Sequence, residues 1–389
     1  MRQKLFLLAT ILLALSCNKS RILVDVHEID FINKSDVTVK GSPLNVELPL
    51  GIRSLAVCDS FMIVMSGGKS DPQMNVYSDD WNILGRFCYR GRSRNEFINS
   101  PRMISKQTIK GDGGGTLIPL IDGIKGIKAV DIQRSLQSQS TVIATENDFE
   151  SAKLAEYEDN GKTSRMRFSF NFILVDNNLN HTFRSYPQIT MFGRVLFEPY
   201  YVVMYDTVQV KQIKFLSNVS ANDDGYLYGS LFKHPTRNII IQPLTYMDYI
   251  LFFDLDNDKT FAIHQSGSLS FDDKLISEPE EVIEIPGGEV TSVEEKTTHF
   301  SGVACTESFF MVQYYAGDYS VNVPDIDKAA PELLFFDWNG NFLKSVKLDT
   351  PVDGITFDER KNILYGTDVN DRIIIFDLST VVNVKQMVE

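Results

Sequence analysis

The 389-residue chain holds only 4 cysteines, 2 tryptophans and 5 histidines. So few cysteines exclude a fold held together by a disulfide framework. The histidines, at 27, 181, 234, 264 and 299, never fall at a metal-ligand spacing such as H-E-x-x-H. A G-x-S-x-G elbow and a Walker loop are also missing. The Gly-rich stretch Gly111 to Thr116 lacks the Lys-Ser/Thr that would hold phosphate and magnesium, so it reads as a plain loop. Asp254-Leu255-Asp256-Asn257-Asp258 resembles the start of a calcium loop. Lys259 and Gln265 replace the Gly and Glu which that geometry requires, and a hairpin turn is expected. No metal or cofactor is therefore expected. Basic charge is short as well, with 38 Lys+Arg against 51 Asp+Glu and a net charge of −13. A bulk electrostatic grip on nucleic acid is excluded on that balance. With 43% hydrophobic and 23% charged residues the chain is nonetheless globular in composition, not disordered.

The N-terminus is built differently from the rest. Met1-Arg2-Gln3-Lys4 is cationic, and Leu5 to Ser16 is uncharged and rich in Leu. That run is too short to span a bilayer, which needs about 20 helical residues, but it fits the apolar part of a secretory signal. Leu13-Ala14-Leu15-Ser16-Cys17 resembles a bacterial lipobox, in which cleavage leaves Cys17 first and acylated. Ala14 and Leu15 depart from the commonest residues at their positions. Residues 1–16 are thus expected to be a lipoprotein signal peptide, with palmitate-type acylation at Cys17 anchoring the protein in the membrane. Asn18-Lys19-Ser20-Arg21 lacks the acidic residues often read as a surface-export tag, which points to the periplasmic side of the outer membrane. Cys58, Cys88 and Cys305 remain, an odd number, each in an apolar run. They are expected to be small buried hydrophobes, with one bridge as the alternative.

Past this point short apolar runs recur without a sustained 3.6-residue period. Phe61 to Met65, Phe168 to Val175, Tyr200 to Met204, Ile239 to Ile241, Ile250 to Phe253, Leu333 to Phe336 and Ile373 to Phe376 are examples. Rich in aromatic and β-branched residues and broken by Asp, Asn and Gly, they predict strands. Glu146 to Asn160 is the best helical candidate. Several runs end in Asp before a polar turn, as at Asp176, Asp254, Asp337 and Asp377. Cys58 to Val64 resembles Thr306 to Val312, and Asp224 to Ser230 aligns with Lys361 to Thr367. Units of about 40–50 residues with four short strands describe propeller blades. The expected fold is all-β, a six-bladed β-propeller, with seven blades or a β-sandwich pair as alternatives. Six is favoured because insertions are visible at Gly111 to Thr116, Asp148 to Thr163 and Ser266 to Glu295. The last unit, Val352 to Leu378, shows three strands, so the fourth is expected from Ile22 to Ile29 or Val37 to Leu48. This divides the chain into a signal peptide (1–16), a lipid-anchored tether able to lend the closing strand (17–45) and the propeller (46–389).

Gly91, Asn95, Glu96 and Phe97 in the segment Gly85 to Phe97 resemble the G-x-G-P-N/G-E-F turn of the TolB-like six-bladed β-propeller lipoproteins of Gram-negative anaerobic bacteria. Ser93 and Arg94 replace the usual Gly-Pro. The resemblance implies the fold and the envelope location, and brings no reaction with it. From the residues themselves, Asn95 and Glu96 would cap local backbone and Phe97 would dock the turn, with ligand binding by Glu96 as the alternative. Arg86, Arg90, Arg92 and Arg94 read as a solvated hairpin or, alternatively, as a patch for an anionic partner. Inner-strand candidates near the axis are Ser54, His299, Ser301, Asp353 and Thr356, of which His299 and Asp353 have the chemistry of an acid and a base. The expected function is a non-enzymatic scaffold binding envelope proteins or a glycan. The alternative is a propeller enzyme of glycoside hydrolase, lyase or esterase type using carboxylates at the channel.

Overall fold

The Phe-, Val- and Ile-rich runs pair into six antiparallel meanders, each with its strands in chain order. In the computed structural model, residues 22–382 are described apart from 33, 68–70, 112, 124–125, 149–151, 160–161, 170, 187–188, 192–193, 198, 207, 218–226, 272–280, 286–287, 293–296 and 321–330. Blade 1 is Ile52–Cys58, Phe61–Ser66, Met74–Tyr77 and Ile83–Phe87. Blade 2 has an interrupted inner strand, Arg102–Met103 and Ile109–Lys110, followed by Thr116–Asp122, Gly126–Asp131 and Ile143–Asp148. Blade 3 is Asn171–Leu174, Thr182–Tyr186, Tyr200–Tyr205 and Val208–Ile213, and blade 4 is Phe232–Lys233, Ile239–Pro243, Tyr249–Asp254 and Lys259–Gln265. Blade 5 is Thr297–Cys305, Phe309–Ser320, Glu332–Asp337 and Phe342–Leu348. Blade 6 contributes Asp353–Asp358, Ile363–Thr367 and Ile373–Asp377.

Blades bury both faces, which is why their strands read as unbroken apolar runs. Along Tyr249–Asp254 the side chains of Tyr249, Leu251 and Phe253 enter the core shared with blade 3. Ile250 and Phe252, pointing the other way, enter the core shared with blade 5. Further cores join blade 5 to blade 6 and blade 1 to blade 2. Leu55, Met62, Val64 and Tyr77 of blade 1 meet Tyr365 and Ile373 of blade 6, which closes the ring. The fold is a six-bladed β-propeller.

The N-terminal segment runs around the outside of this ring as a strap. Leu23 N–H donates to Phe215 O (2.8 Å) just past blade 3. Asp25–Ile29 then pairs in parallel with Lys259–Gln265 of blade 4, and Thr38–Val39 with Phe342–Leu348 of blade 5. Gly41–Pro43 pairs antiparallel with Ile373–Asp377 and supplies the missing fourth strand of blade 6. The closing strand thus comes from the second of the two segments expected to lend it, while the first covers blade 4.

Three expectations need correction. The described residues of 146–160 are not helical: they contribute to the strands Ile143–Asp148 and Ala152–Asp159. The open edge of Gly126–Asp131 captures the first of these, pairing Lys128 with Glu146, and overrides weak local preference. The helix of the described residues is Ile132–Ser138, where Asp131 caps the start by accepting from Arg134 N–H. Likewise Leu227 to Ser230 does not form the strand that Ile363–Thr367 does, but precedes the inner strand of blade 4. The remainder of that aligned segment, 224–226, lies outside the described residues. Phe168 to Val175, expected as one strand, is shared between Lys162–Ser169 and Asn171–Leu174.

The meander order sends connections alternately to the two ends of each blade. One face carries short turns made by the recurring Asp. Asp254 accepts from Asn257 N–H (3.0 Å), Asp176 from Asn178 N–H (2.8 Å), Asp377 from Ser379 N–H (2.9 Å), and Asp337 from Asn339 and Asn341 N–H (2.9 and 2.8 Å). The opposite face receives the long connections. Three inserted hairpins leave from it, Ala152–Asp159 with Lys162–Ser169, Ile189–Met191 with Arg194–Phe197, and Glu281–Ile285 with Gly288–Ser292.

Candidate functional site

The axis is occupied by a bulge. In the inner strand of blade 2, residues 104–108 bulge out opposite Ile118 and Pro119, because only the flanking pairs stay in register with Thr116–Asp122. Ser105 and Lys106 take the left-handed conformation, with φ of 43° and 59°. Each polar group of the bulge then finds a different blade. Gln107 exchanges two 2.9 Å hydrogen bonds with Leu174 of blade 3. Ser105 Oγ donates to Leu231 O beside blade 4. Lys106 Nζ donates to Val303 O of blade 5 (3.5 Å) and to Ile355 O of blade 6. Met103 Sδ accepts from Ser54 Oγ of blade 1 at 3.5 Å. One short segment therefore ties together the inner strands of the ring. Burial of the ammonium lowers the Lys106 pKa to about 8, against the pull of Cys305 and Asp353. Nothing in Ser105-Lys106-Gln107 signals this role in the sequence, since the bulge exists only when the ring surrounds it.

At the mouth on the insertion-bearing face, a second constellation joins blades 4 and 5. The turn 244–248 is held from both sides: Thr245 N–H donates to Tyr228 O (2.8 Å), and His299 N–H donates to Thr245 O (2.7 Å). Asp248 Oδ1 lies 2.6 Å from His299 Nδ1 and accepts from Tyr314 OH at 2.8 Å. Burial pushes the Asp248 carboxyl up, but the bonds from His299, Tyr314 and Ser268 outweigh this and hold it below the usual value. On the same turn Tyr246 stacks against Tyr228, centroids 5.9 Å apart and planes at 23°, and Tyr228 is 64% exposed. Beside it Ser301 Oγ donates to Gln313 Oε1 (3.4 Å), while Gln313 Nε2 and Tyr315 OH donate to Val352 O (2.7 and 3.1 Å). The result is a preorganised polar and aromatic surface, whose aromatic half the sequence reading missed.

Ser54, His299, Ser301, Asp353 and Thr356 all lie on inner strands, as expected. The carboxylate that meets His299 is Asp248, from the neighbouring blade, and Asp353 instead acts electrostatically on Lys106. Glu96 caps its own turn: its Oε2 accepts from Ser93 N–H (2.8 Å), and that backbone bond holds the carboxyl below its ordinary value. A Cβ on Gly91 would lie 1.9 Å from the same oxygen, which explains the glycine. Phe97 is fully buried beneath the turn, and Lys128 sits 5.1 Å over its ring while donating to Glu96 O. In the arginine cluster, Arg94 pairs with Glu146 at 3.6 Å. Cys58, Cys88 and Cys305 are free thiols, and burial raises the pKa of all three, Cys58 and Cys305 to about 12. Among the described residues, no group of three or more His, Cys, Asp or Glu side chains could hold a metal ion. Cys17 and Asn222 to Gly225 lie outside the described residues.

No family model matches the chain, and no curated protein does. Solved structures similar to it are β-propellers and a "putative exported protein" of Bacteroides fragilis. The latter is 9% identical, with a TM-score of 0.46, and the match covers 91% of this chain and 98% of that one. The Swd1 (Cps50) β-propeller domain of Myceliophteria thermophila is 12% identical, with a TM-score of 0.41 over 87% of this chain and all of that one. The WD40 repeats of RRP9 are 9% identical, with a TM-score of 0.43 over 87% of this chain and 97% of that one. The sheet order and inter-blade cores of the chain itself carry the assignment of the fold.

Proposed function

We propose that this chain is a cell-envelope lipoprotein, acylated at Cys17, whose propeller is a non-enzymatic binding scaffold presenting its insertion-bearing face to a protein or glycan partner. The observation that carries this reading is the asymmetry of the ring. Three inserted hairpins and the Tyr228–Tyr246 stack share one face, while the axis behind them is filled by residues 104–108. An exposed aromatic stack on a turn locked by hydrogen bonds recognises a partner at low entropic cost. The enzyme alternative has less support, because residues 104–108 fill the axis where channel carboxylates would converge and Asp353 acts there on Lys106. The cationic start, apolar run and Cys17 of the first 17 residues support export and anchoring.

The anchor is tested by Cys17→Ala, expected to release the protein from membranes or leave the precursor uncleaved. Unchanged fractionation and mass would reject it. The face is tested by comparing wild type and Tyr228→Ala in cross-linking to envelope extracts and in binding to soluble oligosaccharides. Loss of a captured partner or glycan without change in melting temperature is the expected result.

A further inference from the structure

We propose that the outer edge of blade 3 is the surface that rests on the phospholipid headgroups, so that the anchored propeller stands edge-on to the bilayer. This rests on the lipidation of Cys17 proposed above. Only five peptide steps separate Cys17 from Ile22. At about 3.6 Å per extended residue they reach no further than about 18 Å. Ile22 bridges to Leu216, and Leu23 bonds Phe215, two residues past the end of the edge strand Val208–Ile213. The anchor therefore holds this corner of the ring within about 18 Å of the membrane surface.

The edge strand that leads to this corner exposes apolar side chains beside its glutamines. Among the described residues no strand pairs with the outer side of Val208–Ile213, although the strap covers the corresponding edges of blades 4 and 5. Val208 is 61% exposed and Val210 50%, with Tyr205 at 38% beside them at the opening hairpin, and Leu23 of the strap is 52% exposed beyond the strand's other end. An exposed edge with β-branched residues invites association, and Tyr sits well where an apolar body meets a wet boundary. A tether of this length selects the bilayer as the occupant. Edge-on attachment directs the ring axis along the membrane plane and leaves the insertion-bearing face open beside the bilayer.

The test uses the full lipidated protein in phosphatidylethanolamine–phosphatidylglycerol vesicles carrying a headgroup-proximal spin-labelled lipid. Cysteines introduced by Val208→Cys or Val210→Cys, and by Val369→Cys as control, take an environment-sensitive fluorophore, with wild type labelled in parallel as background. Val369 is 65% exposed on blade 6, diametrically opposite blade 3. Quenching at 208 and 210 several-fold above that at 369 is expected. Equal quenching while the protein floats with the vesicles overturns the docking surface and leaves the anchor standing. A wild-type chain that does not float rejects the anchor and the docking together. Shielding of the 208 label in lipid-free Cys17→Ala protein would assign the edge to a second copy of the chain, and overturns the proposal.

Discussion

Lys106 is a costly residue in its position, since an ammonium among strand carbonyls has left water without a carboxylate bonded to it. Its lowered pKa makes that cost depend on pH. Between about 8 and the ordinary 10.5 the unfolded chain holds the proton and the folded one releases it. Stability contributed through this group therefore rises with pH across that window and is flat below it. In thermal melts, the wild-type-minus-Lys106→Met difference is expected to grow in favour of wild type from about pH 8 upward. A difference independent of pH would mean that the amine is solvated. Glu96 is the opposite case, an acid whose surroundings are its own turn, so its work is finished within six residues of sequence, Gly91 to Glu96.

Among the elements, the strap does more than its length suggests. Gly41 N–H donates to Asp349 Oδ1 (2.7 Å), and a Cβ at Gly41 would lie 2.6 Å from Ile374 and 2.7 Å from Phe376. Gly41→Leu therefore has to displace the core side of blade 6. A loss of about 1–3 kcal/mol is expected in denaturant melts, the usual cost of overpacking. Deleting residues 22–48 removes pairing from blades 4, 5 and 6 at once and exposes their edges. That truncation is expected to melt far below wild type or to aggregate. An unchanged melting temperature would reduce the segment to a tether.

For the whole molecule, each blade depends on its neighbours for both of its buried faces, so the ring should unfold as one unit. Trp81 of blade 1 stacks edge-on against Tyr365 of blade 6 (5.4 Å), and Arg360 joins Asp79 at 2.8 Å across the same seam. Calorimetry is expected to show a single transition, lowered but still single in Trp81→Ala. The inserted hairpin Glu281–Ser292 contributes no strand to a blade. Replacing it with a short Gly-Ser linker is expected to leave that transition nearly in place, because its two strands pair with each other in a sheet of their own.

Alternating or continuous apolar runs ended by Asp and Asn are local properties, and they suffice for the strands, the turns of one face and the count of blades. The three-stranded last unit even announced its missing partner, since a strand edge needs pairing wherever it lies in the chain. Glu96 and its turn were legible for the same reason of short range. Contacts between blades were not. The axial bulge, the pairing of His299 with Asp248 and the stacking of Tyr228 on Tyr246 join residues that are 18 to 249 positions apart. Such neighbours carry no periodicity of their own, and only closure of the ring brings them to bonding distance.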